Sequence, residues 1–222
     1  MRVKHHNLSK SIPHTKEIFT AGRDLKDASA AMILLHGRGA TANDILTLVP
    51  ELNPNELAFI APQAPDYAWY PYSFMAPIKQ NEPQLSEALE LLKGLLLHIE
   101  QAEISAEKTF LLGFSQGACL ALEYAARNPR RYAGVIGLSG GLIGPEVSIS
   151  NYQDSLDGTP VFLGCSDADP HIPKKRVEES AEIMENLNGS VDLRLYSQMG
   201  HTINLDEIDV INEMIKNANI KD

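Results

Sequence analysis

Four stretches of the chain, Ala31–Leu35, Thr109–Gly113, Gly134–Ser139 and Pro160–Gly164, carry the runs AMILL, TFLLG, GVIGL and PVFLG, which are apolar along their length rather than alternating. A strand with one wet face alternates polar and apolar residues. A continuous apolar run of this length fits a strand covered on both faces, as in a parallel sheet between two helical layers. Three further runs, Glu17–Thr20, Leu57–Ala61 and Val191–Tyr196, read as strands as well. Amphipathic stretches separate them. Leu85–Glu100 repeats leucine at three-and-four spacing, Gln116–Arg127 is small-residue-rich on one face (Ala118, Ala121, Ala125), and Lys174–Leu187 and Leu205–Ala218 follow the same period. Asn204 is placed to cap the last of these, with Asp206 and Glu207 in its first turn. Strands alternating with helices predict an α/β fold: a mostly parallel, doubly wound sheet flanked by helices, with no separate cap domain. The predicted domain spans residues 15–222, and the polar segment 1–14 is expected to be poorly ordered.

Charge and cysteine content narrow the function. Nineteen basic against twenty-nine acidic residues give a net charge of −10, a field that repels phosphate backbones and anionic headgroups. Nucleic acid is therefore not expected as a partner, nor is integral membrane contact, since no apolar run approaches the roughly 20 residues a span requires. Cys119 and Cys165 alone make no disulfide framework, and the N-terminus lacks the apolar core of a secretory signal, so the expected location is cytoplasmic.

The strongest local signal is Gly113-Phe114-Ser115-Gln116-Gly117, which ends an apolar strand and opens a helix. That is the setting of a nucleophile elbow, in which glycines let strand and helix approach while the serine sits on a tight, strained turn. The competing reading is an ordinary strand-to-helix turn with Ser115 as helix cap. A nucleophilic serine needs a base, and the base an orienting carboxylate. Among seven histidines, His5, His6 and His14 lie in the polar start and His98 on a helix pattern, whereas His201 (MGHT) follows the last strand. The acid is sought in Gly164–Pro173, which leaves another apolar strand. Asp169, stiffened by Pro170 and Pro173, is favoured and Asp167 is second, although either can be a turn former. A metal site at Asp167, Asp169 and His171 has no complementary ligand motif. Two amides are needed for a developing oxyanion. Gln116 follows the serine, and Arg38 lies in the turn Leu35-His36-Gly37-Arg38-Gly39, which lacks the pattern of a phosphate loop.

In order and spacing, LLHGRG, GFSQG, LSGGL, SDADPHIP and GHTI resemble the phospholipase/carboxylesterase branch of the α/β-hydrolases, from about Ala31 to the C-terminus. The resemblance implies an α/β-hydrolase fold and a serine hydrolase of carboxylic esters that needs no cofactor or metal. Its implied nucleophile, acid and base are Ser115, Asp169 and His201, with Gln116 and Arg38 as oxyanion donors. Arg38 stands where many thioesterase relatives carry an apolar residue. A lysophospholipase or acyl-protein thioesterase is the alternative within the branch, and a catalytically inactive binding protein the alternative outside it. The substrate is expected to be a small ester or thioester.

Five of the chain's 14 aromatics crowd into residues 67–74. Trp69, Tyr70, Tyr72 and Phe74 are expected as substrate-binding walls, against two competing uses: a folded-down satellite core or a homodimer contact.

Overall fold

The computed structural model describes residues 3–6, 17–52 and 56–218. The described strands are β1 (Lys4–His6), β2 (Ile18–Gly22), β3 (Ala30–Leu35), β4 (Leu57–Pro62), β5 (Thr109–Phe114), β6 (Gly134–Leu138), β7 (Pro160–Ser166) and β8 (Ser190–Tyr196). They form one sheet in the order β1-β2-β4-β3-β5-β6-β7-β8. The pairings from β4 through β8 are parallel, and β2 and β1 extend the edge antiparallel. The helices are α1 (Ala42–Leu46), α2 (Ile78–Asn81), α3 (Gln84–Gln101), α4 (Gln116–Arg127), α5 (Lys174–Asn186) and α6 (Leu205–Asn217). No helix among the described residues is long and apolar enough to cross a membrane.

The apolar runs are strands buried on both faces. Ala31, Ile33 and Leu35 of β3, Leu111 of β5 and Leu163 of β7 join the cluster beneath α3, α4 and α5. Their neighbours Met32, Leu34, Phe110, Leu112 and Phe162 point the other way, into the cluster beneath α1 and α6. The two-residue period of a strand thus feeds two cores from one run.

All seven expected strands and all four long helices are present. Two short helices were not expected. Five-residue α1 is too short to show a period and is held by a reciprocal capping box, in which Thr41 and Asp44 satisfy each other's amides. Of the segment 1–14, residues 1–2 and 7–14 lie outside the described residues. Lys4–His6, expected to be poorly ordered, instead pairs with β2, an arrangement that needs only main-chain hydrogen bonds and is reinforced by the Lys4–Asp24 ion pair. At the other end of the chain, Asn204 caps α6 as expected and forms a full capping box with Glu207.

Candidate active site

The parallel strands end on one side of the sheet, and the loops leaving β3, β5, β7 and β8 meet there. At the end of β5 the chain turns sharply into α4 with Ser115 at φ 55° and ψ −117°, a region that a side-chain-bearing residue adopts only when its surroundings enforce it. The flanking glycines enforce it. A Cβ on Gly113 would stand 2.2 Å from the Gly117 carbonyl group, and one on Gly117 would stand 2.2 Å from the Leu35 carbonyl oxygen. From inside the turn, the Ser115 amide donates to the Leu138 carbonyl (2.9 Å), tying the elbow to β6. Ser115 does not spend its hydroxyl on capping α4.

That hydroxyl faces His201 instead. His201 Nε2 lies 2.9 Å from Ser115 Oγ, and His201 Nδ1 lies 2.7 Å from Asp169 Oδ2. The second carboxylate oxygen of Asp169 accepts from the amides of His171 (2.8 Å) and Ile172 (3.0 Å). The Asp169 side chain is 0% exposed and that of His201 20%. Burial pushes the Asp169 carboxyl up, but the hydrogen bonds from His201 and the two amides prevail and hold it below the usual carboxylate range. Phe114 packs against the imidazole with ring centres 4.9 Å apart, and His171 meets it edge-on, also at 4.9 Å.

Asp167, the second carboxylate considered from the sequence, is bonded elsewhere. Its side chain accepts from the Gln198 amide (2.9 Å), so it ties the loop carrying Asp169 to the loop carrying His201. Ser166 Oγ makes a parallel tie, accepting from Ala168 (3.3 Å) and Gly200 (3.2 Å).

The turn after β3 lies against the elbow, close enough that a Cβ on Gly37 would be 3.4 Å from Ser115 Cβ. The next amide is that of Arg38. Gln116 opens α4, so its amide has no carbonyl one turn earlier within the helix. The side chains of both residues serve the aromatic loop. The Arg38 guanidinium donates to the carbonyls of Pro71 (2.8 Å), Tyr70 (2.8 Å) and Tyr72 (2.6 Å). Gln116 accepts from the Trp69 amide (2.9 Å) and donates to the Tyr70 carbonyl (2.8 Å). Asn81, fully buried on α2, adds bonds to Tyr72 and Ser73. These side-chain anchors reach across 8 to 47 positions, and only the final geometry discloses them.

So anchored, the loop divides the four expected wall residues. Tyr70 and Phe74 line a cavity of about 370 Å³ together with Arg38, Ser115, His171 and His201. Trp69 does not line it: only 2% exposed, it is core, with its indole N–H donating to the His36 carbonyl (2.8 Å). Tyr72 does not line it either and is 58% exposed. The sequence reading missed Ile172 and Cys119, which complete the apolar part of the wall. Burial pushes the Cys119 thiol up to about 12, so it acts as a small apolar group.

The chain matches the family model for phospholipase/carboxylesterase over residues 18–219. Among solved structures, a phospholipase/carboxylesterase from Dyadobacter fermentans is 47% identical with a TM-score of 0.88, the match covering 92% of this chain and 98% of that one. Esterase PE8 is 25% identical with a TM-score of 0.75, over 90% and 97% of the two chains. Among characterised relatives, acyl-protein thioesterase 1 of Yarrowia lipolytica is 25% identical over 209 residues, 85% of this chain and 92% of its own.

Proposed function

Because the chain belongs to the phospholipase/carboxylesterase family, we propose that it is a serine hydrolase that cleaves carboxylic esters through an acyl-enzyme on Ser115. The observation that carries this reading is the unbroken hydrogen-bonded chain from Ser115 Oγ through His201 to the buried Asp169, set on a strained elbow. Ser115 Oγ attacks the acyl carbon while His201 Nε2 takes its proton. Asp169 holds the imidazole through Nδ1 and stabilises the cation that forms. The amides of Gln116 and Arg38 receive the developing oxyanion. His201 then returns its proton to the departing alkoxide or thiolate, and a water activated by His201 releases the acid.

Thioesters fit the same chemistry, and a relative named acyl-protein thioesterase keeps that substrate class as the second reading. A cavity of about 370 Å³ lies at the low end of ligand sites and favours short acyl groups over long lipid chains. The test is hydrolysis of p-nitrophenyl esters from acetate to palmitate by the wild type and Ser115→Ala. Activity highest on acetate or butyrate and abolished in the variant supports the reading. Unimpaired turnover by Ser115→Ala would overturn it, and a clear preference for palmitate would shift it to a lipid-directed enzyme.

A further inference from the structure

The cavity beside Ser115 is lined by three nitrogen bases, Arg38, His171 and His201, and by no carboxylate. That is an unusual wall in a chain with 29 acidic residues and a net charge of −10. Asp169, which holds His201, is 0% exposed, with both oxygens engaged by His201 and by main-chain amides. Arg38 forms no ion pair among the described residues. Three of its five N–H donors go to the Tyr70, Pro71 and Tyr72 carbonyls, which fix the guanidinium without neutralising it. A cation held rigidly has already met much of the ordering cost of binding. His171, which also lines the cavity, is exposed, and its ring nitrogens make no hydrogen bond among the described residues.

From this arrangement we infer that the preferred substrates are short esters or thioesters bearing a carboxylate a few bonds from the scissile carbonyl, with Arg38 as the residue that selects them. A loop staple alone would require donors, not a charge. The inference rests on the hydrolase reading above and adds the substrate class. A fixed guanidinium within about 4–5 Å of a carboxylate at a partly exposed site is worth about tenfold or more in kcat/KM.

The test compares monoethyl succinate with its neutral isostere ethyl succinamate, following ethanol release at low ionic strength. Wild type is expected to favour the half-ester by about tenfold or more, and about 0.5 M NaCl should shrink that ratio. Both Arg38→Lys and Arg38→Gln loosen the loop and lower absolute rates, so the ratio is the readout. The lysine variant should keep the preference, and the glutamine variant should lose it. His171→Ala, which disturbs no loop anchor, should lower the ratio by a few-fold. Equal turnover of the two esters, or a ratio untouched by Arg38→Gln, would overturn the inference while leaving the hydrolase reading intact. So would turnover of p-nitrophenyl acetate with neither succinate derivative accepted. Failure to hydrolyse any ester, with no labelling of Ser115 by a fluorophosphonate, would overturn both.

Discussion

Replacing Gly117 with alanine tests how the elbow is built. The added Cβ would lie 2.2 Å from the Leu35 carbonyl oxygen, 2.6 Å from the Leu35 carbonyl carbon and 2.7 Å from the His36 oxygen. All three are main-chain atoms at the end of β3, so no side chain can swing away. Relief requires α4 to move from β3 by about 1 Å, the difference between this approach and ordinary contact. Overpacking of this kind costs about 1–3 kcal/mol, and the better helix propensity of alanine returns up to about 1 kcal/mol. The net loss of stability should therefore be modest, about 1–2 kcal/mol. The catalytic loss should be larger. The same shift carries Ser115 Oγ and the Gln116 amide away from His201 and the Arg38 turn, and a misplacement of about 1 Å costs about 100-fold. Urea denaturation read beside kcat/KM on p-nitrophenyl acetate separates the two effects. Gly113→Ala, whose Cβ would stand 2.2 Å from Gly117, pushes the same helix off the neighbouring strand β5, so the double variant should lose less than the sum of the singles. A Gly117→Ala protein with an unchanged midpoint and activity within about threefold would refute the reasoning.

The other predictions concern the acid, the wall and a buried carboxyl. Asp169→Asn should lower kcat by about 10⁴-fold, because an amide leaves the imidazole in the wrong tautomer. Asp167→Asn, which alters only a tie between two loops, should cost under about tenfold, and steady-state kinetics on the pair would reassign the acid if the order were reversed. Phe74→Ala should extend the accepted acyl chain, since Phe74 lines the cavity, and should cost about 3–4 kcal/mol of stability. Tyr72→Ala should leave the chain-length profile unchanged, and a shift in that profile would contradict the placement of the loop. Glu207 is buried, and burial pushes its carboxyl up to about 7. The native state then holds a proton that the unfolded chain releases near the usual glutamate value. Stability should fall as pH rises from about 4.5 to 7, by on the order of 3 kcal/mol from this group. Glu207→Gln keeps a capping-box residue and removes the titration, so it should gain on the wild type between pH 5 and pH 8; a pH-independent gap in urea midpoints would exclude this.

The parts of the fold legible in the sequence were those whose pattern repeats over many residues. Runs such as AMILL and TFLLG disclose strands covered on both faces because every position is buried, and the amphipathic period of α3 and α6 survives over three or more turns. Lys4–His6 and the short α1 and α2 give no such repeat, since edge pairing, a capping box and tertiary contact hold them. At the site, Ser115, Asp169 and His201 could be named from residue type and chain order, and the structure brings them into one hydrogen-bonded line. The aromatic loop could not be resolved in advance. Whether Trp69 is core or wall depends on where Arg38, Gln116 and Asn81 pin the main chain, and those bonds join side chains to distant peptide groups without leaving a periodic trace.

The central claim, that Ser115 is the nucleophile, is tested most directly by intact-protein mass spectrometry after exposure to a fluorophosphonate, with the adduct located by peptide mapping. The account predicts one stoichiometric adduct on Ser115, absent from Ser115→Ala and formed far more slowly in His201→Ala, because without the imidazole the hydroxyl keeps its proton. An adduct on another residue, or equal labelling of Ser115 with and without His201, would contradict it.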